Sequence, residues 1–522
     1  MTKFLPTPEQ VEIIECAKGN PDMSIEALAG TGKTTTLKMV AESRASLKGS
    51  YIAFNKSIVD EAKSTFPSSV TCSTAHGLAY RAIGRDYASR LHSSQRMTFK
   101  QVATWLEASA FQFKSDISDH ILEPAQIARH AQATVRNFCK SIDREMATKH
   151  VAIPIIIDSN ASNAEAFTRI VLPLAKKMWD DLLLHEGVMR FTHDYYLKMW
   201  QLGKPTIASD FILFDEAQDA DPVMLDVVNS QSSSQLIYCG DQFQAIYEWR
   251  GAMNALKMVH VDKHLWLTQS FRFGNAIAEQ ANRFLQLLDA PKPVKGLDRL
   301  NSSLQRVENP DAILCRTNAG VFRALMGEQA KKRSVSIIGK TQELIEFVEA
   351  CQQLMRGERT GHPELAPFPN WQSVLGFIDE YPIEAQEIKT MVELIQSFGI
   401  SELISALNQV VTEKRAEVVI STVHRAKGRE WNSVRLAGDF LHRDDMDKED
   451  LRLAYVAVTR AQITLDMSAW ERIVPVANRE KFNHEPTVIQ RNRPPIIVDA
   501  EVGTKNEKGI ASRLKPWDGA DF

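Results

Sequence analysis

The segment Ala27-Leu-Ala29-Gly30-Thr31-Gly32-Lys33-Thr34-Thr35 joins an apolar run, a glycine-rich turn and a Lys-Thr pair, in the order that builds a phosphate cradle. Glycines let backbone N–H groups approach an anion closely, so the cradle would comprise Ala29, Gly30, Thr31, Gly32, Lys33, Thr34 and Thr35. Lys33 would reach the β- and γ-phosphates of a nucleotide, and the Thr34 hydroxyl would coordinate Mg²⁺. Helix-forming residues follow directly, which aims a helix N-terminus at the same phosphates. Ala27 stands where the general G-x-x-x-x-G-K-[ST] pattern has its first glycine, and a plain Gly-rich turn before a helix is the alternative for the segment alone.

A second group sits at Phe211-Ile-Leu-Phe214-Asp215-Glu216-Ala-Gln-Asp219, an apolar strand ending in adjacent acids. Parallel α/β sheets deliver their chemistry at the carboxyl ends of strands. Asp215 would hold Mg²⁺ beside Thr34, and Glu216 would polarise an attacking water as general base. A solvated acidic loop is the alternative if the cradle is ignored.

The elements that must position these residues follow an α/β rhythm. Short apolar runs at 24–28, 51–54, 211–214, 236–239, 312–315, 335–338, 418–421, 434–437 and 463–467 predict strands alternating with helices. Two mainly helical stretches interrupt the rhythm, residues 83–189 and 341–412, the second around a Pro/Gly-rich patch at 357–369. Residues 481–522 mix Pro494-Pro495 and Pro516 with polar residues, which predicts a partly disordered tail.

With 522 residues, 44% hydrophobic and 24% charged, the composition is that of an ordinary globular chain of several domains. There is no apolar run of about 18 residues and no signal-like N-terminus, so a soluble intracellular protein without a membrane partner is expected, in cytoplasm or nucleoid, or in a eukaryotic nucleus. The six cysteines are scattered without a C-x-x-C pair, which argues for buried thiols and against structural zinc or a disulfide framework. Lys+Arg 62 against Asp+Glu 65 gives a net charge of −3, so nucleic-acid binding would depend on local grooves.

Further along, Gly240-Asp241-Gln-Phe-Gln244-Ala-Ile-Tyr247-Glu-Trp249-Arg250-Gly251-Ala252, Leu267-Thr-Gln-Ser-Phe271-Arg272, Ser421-Thr422-Val-His424-Arg-Ala-Lys427-Gly428-Arg-Glu430-Trp431 and Leu453-Ala-Tyr455-Val-Ala-Val-Thr459-Arg460-Ala461 follow the acidic strand in order. Together with the cradle and Asp215-Glu216-Ala-Gln-Asp219, they resemble the motifs of UvrD/Rep-type superfamily 1 DNA helicases, a family that also tolerates alanine where Ala27 stands. The resemblance runs from Gln10 to about Gln462. It implies two RecA-like domains, 1–82 with 190–266 and 267–340 with 413–480, carrying helical insertions at 83–189 and 341–412.

The same resemblance implies residue roles. Gln10 would read the adenine edge, Phe271 would stack on the base, and Glu430 would reach the ribose. Gln244, Arg272 and Arg460 would converge on the γ-phosphate, the two arginines arriving from the second domain on closure. Single-stranded DNA, and junctions of single with double strand, would be held by Phe54, Tyr247, Trp249 and Arg250, with Thr74, His76, Thr422 and His424 on the backbone. For Phe54 and Trp249 core packing is the alternative, as a structural role is for each histidine. Thr192-His193-Asp194-Tyr195-Tyr196 also fits a family segment, without an evident role.

The second insertion is much shorter than the accessory subdomain of full-length UvrD/Rep proteins, and the pattern is similar to the F-box DNA helicase branch, although no F-box segment is evident. The expected function is an ATP- and Mg²⁺-dependent 3′→5′ single-stranded DNA translocase in repair, recombination or replication. Two other readings are a translocase that strips a recombinase or other DNA-bound protein, and an ATP-gated DNA-binding switch in a larger complex.

Overall fold

The computed structural model describes residues 5–470 apart from 54–55, 94–96, 115–118, 155–156, 158–159, 248–253, 340, 363–364, 366–367, 381–385 and 442–445. The expected tail at 481–522 therefore lies outside the described residues.

The strands in chain order are β1 (Met23–Ala27), β2 (Gly49–Ala53), β3 (Val70–Thr74), β4 (Phe111–Lys114), β5 (Asp119–Leu122), β6 (Phe211–Phe214), β7 (Gln235–Gly240), β8 (Lys263–Leu267), β9 (Ser303–Leu304), β10 (Ala312–Cys315), β11 (Val335–Ile337), β12 (Val418–Thr422), β13 (Trp431–Leu436) and β14 (Ala461–Asp466). All but β4 and β5 form two six-stranded sheets, β3-β2-β6-β7-β1-β8 and β11-β12-β10-β13-β14-β9, and the pairings within both are parallel. This is a mixed α/β fold with two RecA-like domains. Helices cover both faces of such sheets, which explains why β1, β2, β6 and β7 are buried along their whole length.

Three of the strands absent from the sequence-based expectation, β3, β8 and β9, lie at sheet edges. An edge strand has fewer neighbours to cover it, so it tolerates polar residues such as those of Val70-Thr-Cys-Ser-Thr74 and Lys263-His-Leu-Trp-Leu267. The other difference lies in the first insertion. Phe111-Gln-Phe113 alternates, and β4 pairs antiparallel with β5 inside what is otherwise a helical unit.

That unit is built on the helices Phe99–Leu106, Pro124–Cys139 and Ala161–Leu182. Their apolar faces share one core with the His193–Leu202 helix and with Ile212 and Phe214 of β6. The second insertion contributes the helices Thr341–Met355, Trp371–Glu380, Gln386–Phe398 and Ile400–Asn408. They pack with β10, β11 and β12 as one cluster. None of the described helices is long and apolar enough to cross a membrane.

The two sheets meet at an apolar seam. Leu28, Ala29, Phe243 and Ile246 from the first pack with Phe273, Ile277, Tyr455 and Val456 beside the second. Because β1 lies between β7 and β8, with β6 beside β7, the loops leaving these four strands converge at that seam.

Candidate functional site

The loop after β1 turns through two left-handed glycines, Gly30 at φ +74° and Gly32 at φ +78°, and delivers Lys33 as the first residue of the Lys33–Ser43 helix. Gly30 has a second reason to lack a side chain: a Cβ there would lie 2.6 Å from the Cβ of Arg272. The loop is held from below, where the Thr31 hydroxyl donates to the Leu28 carbonyl (2.7 Å). Ala29 departs from its expected role, because its N–H donates to the Tyr455 hydroxyl (3.0 Å). Gly30 through Thr35 line a cleft of about 810 Å³ together with Gln244, Arg272, Lys427, Glu430 and Arg460.

Asp215 and Glu216 follow β6 directly, Asp215 buried and Glu216 lining this cleft. The Thr34 hydroxyl lies 3.3 Å from Asp215 Oδ2, which also accepts from the Tyr51 hydroxyl (2.6 Å). Lys33 Nζ is 3.3 Å from Glu216 Oε2. Glu216 has φ +53°, a conformation that non-glycine residues adopt at a cost, and its carboxylate accepts from Gln218 (2.6 Å). Burial alone would raise the Glu216 carboxyl, but Lys33, Lys427 and Gln218 hold it well below the usual range. Asp215 goes the other way, raised by burial and by the neighbouring Glu216 charge. Glu216 is thus held firmly ionised by its cations, and Asp215 is the one short of positive charge. A divalent cation beside Thr34 and Asp215 would supply it, so the residues present fit Mg²⁺ and a nucleotide polyphosphate.

Across the seam, Arg460 Nη2 donates to Gln244 Oε1 (3.2 Å) while Gln244 Nε2 donates to Asp241 Oδ2 (2.6 Å). Arg460 is buried, and burial together with nearby Arg272 lowers its pKa to about 9. Lys427 crosses the seam as well, donating to Asp219 and to the Gln244 carbonyl. Arg272 sits differently from the expectation of a second-domain residue. It follows β8 of the first sheet by five residues, and the connector carrying it is tied to the cradle where Phe271 N–H donates to the Gly30 carbonyl (2.8 Å). Its guanidinium nonetheless reaches over the seam to Glu430 (2.5 Å) and to the Thr459 carbonyl (3.1 Å).

Phe271 is 40% exposed, an unusual state for phenylalanine, and its ring lies beside Gly32 at the cleft. Gln10 reaches the same place. Its side chain closes a capping box with Thr7 and donates to the Thr36 hydroxyl (3.0 Å), and a Cβ on Gly32 would be 3.7 Å from its Nε2. Glu430 is bonded to Arg272 and Gln462.

The expected DNA contacts are less concentrated. Phe54, Trp249 and Arg250 lie outside the described residues. Thr74 caps the Ala75–Ala82 helix, its hydroxyl accepting from Gly77 N–H (3.0 Å), and Thr422 stands at the N-cap position of the Val423–Ala426 turn without a side-chain cap bond. They end β3 and β12, so each sheet presents one Ser-Thr-x-His segment at a strand end. The Tyr247 hydroxyl donates to the His424 carbonyl (2.7 Å), which makes Tyr247 a bridge over the seam.

The Thr192–Tyr196 segment, without a role in the sequence, acquires one here. Asp194 lies 3.5 Å from His76 Nε2, and the His76 bond depresses its carboxyl. Sequence reasoning also passed over Tyr51, Gln218, Asp219, Asp241, Lys427 and Tyr455. All but Tyr51 and Gln218 are charged or phenolic residues inside quoted motifs, and the burial of Tyr455 is signalled by the apolar residues on both sides of it.

Comparison with known proteins agrees with this geometry. Residues 6–263 match the UvrD/REP helicase N-terminal domain and residues 209–472 match the UvrD-like helicase C-terminal domain. F-box DNA helicase protein 1 of Schizosaccharomyces pombe is 29% identical over 508 residues, covering 87% of this chain and 56% of that protein. F-box DNA helicase 1 of Gallus gallus is 30% identical over 488 residues, covering 85% of this chain and 47% of that one. The chain thus spans about half the length of the curated relatives it matches. With a cradle, paired acids and cross-seam cations all set between two parallel sheets, the chain belongs to the UvrD-like helicase family.

Proposed function

We propose that the chain is an ATP- and Mg²⁺-dependent motor that moves 3′→5′ along single-stranded DNA and opens duplex at junctions, inside the cell, in DNA repair, recombination or replication. The observation that carries this is the Arg460–Gln244–Asp241 relay. It joins the second sheet to the loop leaving β7, in the cleft that the Lys33–Glu216 pair also lines.

In this reading Gly30 to Thr35 and Lys33 bind the phosphates, Thr34 and Asp215 hold Mg²⁺, and Phe271 with Gln10 seats the base. Bound Mg²⁺ neutralises charge that develops on the transferred phosphoryl group. Glu216, kept ionised by Lys33 and Lys427, accepts a proton from the attacking water. Arg460 and Arg272 exchange their partners Gln244 and Glu430 for the γ-phosphate, so closing the seam and completing the site are one event. Phe54, Trp249, Arg250, Tyr247 and the two Ser-Thr-x-His segments then grip the strand by stacking and backbone contacts, which are tolerant of sequence.

The small second insertion, with four helices among the described residues of 341–412, favours a variant of this reading. A motor with little surface for duplex would strip proteins such as recombinase filaments from a single strand. Strand displacement on duplexes with a 3′ or a 5′ overhang tests polarity, and a protein-coated single strand tests stripping. Opening of the 5′-overhang substrate with the 3′ one left intact contradicts the polarity. Inactivity on all three substrates, with ATP-dependent DNA binding retained, would identify a switch.

A further inference from the structure

Tyr455 is fully buried on the Lys448–Val458 helix beside the second sheet, yet both partners of its hydroxyl belong to the first. The oxygen accepts from Ala29 N–H in the cradle (3.0 Å) and donates to Asp241 Oδ2 (3.2 Å). Burial, reinforced by the Asp241 charge, raises the phenol well above its ordinary value, so the donated proton stays in place. Asp241 Oδ2 also accepts from Gln244, and Gln244 accepts from Arg460, five residues beyond Tyr455. One helix and the residue just past its C-cap therefore touch the Asp241–Gln244 segment at both ends, and at the Tyr455 end they touch the cradle as well.

The aromatic ring accounts for the packing, edge-on to Phe243 with ring centroids 6.5 Å apart. The hydroxyl contributes only its bonds across the seam. In a two-lobed motor, a bond of this kind reports to one lobe how the phosphate loop of the other is seated.

We propose that the Tyr455 hydroxyl is a positioning group, acting through Asp241 to couple the phosphate loop to Gln244 and Arg460 and so to link nucleotide turnover with movement between the lobes. This rests on the ATPase reading above, and it adds a residue that contacts no expected phosphate itself.

The test uses the full chain, oligo(dT) and ATP, comparing wild type with Tyr455→Phe, Asp241→Asn and the double variant. Tyr455→Phe should lower the DNA-stimulated kcat by about tenfold, the scale of one buried hydrogen bond, with KM for ATP within about twofold. ATP consumed per nucleotide travelled should rise, a readout that lost packing alone would not move. The double variant should be no worse than Asp241→Asn, as expected for groups acting in one chain. Wild-type kcat and coupling in Tyr455→Phe overturn the proposal, and so does strict additivity in the double variant. Absence of DNA-stimulated turnover in the wild-type chain would instead defeat the ATPase reading on which it rests.

Discussion

Lys33 and Glu216 lie 3.3 Å apart and stabilise each other's charge, although their proposed roles in turnover are opposite. Lys33→Ala should abolish ATP hydrolysis and weaken nucleotide binding, because the cradle loses its only side-chain cation. Glu216→Gln should keep nucleotide binding and lose turnover by a factor on the order of 10²–10⁴, the usual contribution of a general base. Fluorescent-nucleotide titration alongside steady-state hydrolysis separates the two outcomes, and equal binding losses would mean that Glu216 is a structural partner of Lys33. At this scale the sequence is informative wherever chemistry demands a residue type at a fixed spacing, as at Gly30-Thr31-Gly32-Lys33-Thr34. It is uninformative where a bond depends on the fold. Nothing local pairs Asp194 with His76, or Ala29 with Tyr455, and in each case the partner is supplied by another helix or another domain.

At the scale of elements, β1 and β6 are legible because parallel central strands must be apolar on both faces, whereas β3, β8 and β9 are not, because edges relax that demand. The connector after β8 matters for function. It carries Arg272 on the cradle side of the seam, while Arg460 arrives from the other. Arg460→Ala should therefore slow hydrolysis by a factor on the order of 10³, as for other cations brought to a transferring phosphoryl group, and leave nucleotide-free DNA binding intact. Arg272→Ala should do the same and also free Glu430. A matching loss of DNA affinity without nucleotide would make either one a DNA contact instead. A stability element lies further off, on the Asn318–Ala330 helix, where Glu328 accepts from Lys331 (2.7 Å) and Arg333 (2.8 Å). Burial would raise its carboxyl, but those two bonds hold it below the ordinary 4.5. A depressed folded value means that the stabilisation is present above about pH 4.5 and fades as pH falls through the folded value. Glu328→Gln should cost about 2–3 kcal/mol at pH 7 and less in acid, read from urea melts at the two pH values. An equal cost at both would show that the carboxylate charge is not the source.

For the whole molecule, two sheets share one cleft, and the groups that bind, ionise and close it come from both. The order of motifs made that arrangement readable, since a cradle, an acidic strand end and two later Arg-bearing segments have a use in common only if the chain folds back on itself. The β4–β5 hairpin was not readable, because two short strands within a helical stretch leave only a weak alternation. The central claim is that this cleft hydrolyses ATP and that a single strand of DNA controls the rate. The most direct measurement is ATP turnover with and without oligo(dT), for the wild-type chain and for Glu216→Gln. Strong stimulation of the wild type by DNA is expected, with none in Glu216→Gln and nucleotide binding retained. Turnover indifferent to DNA in the wild type, or turnover at the wild-type rate in Glu216→Gln, would contradict it.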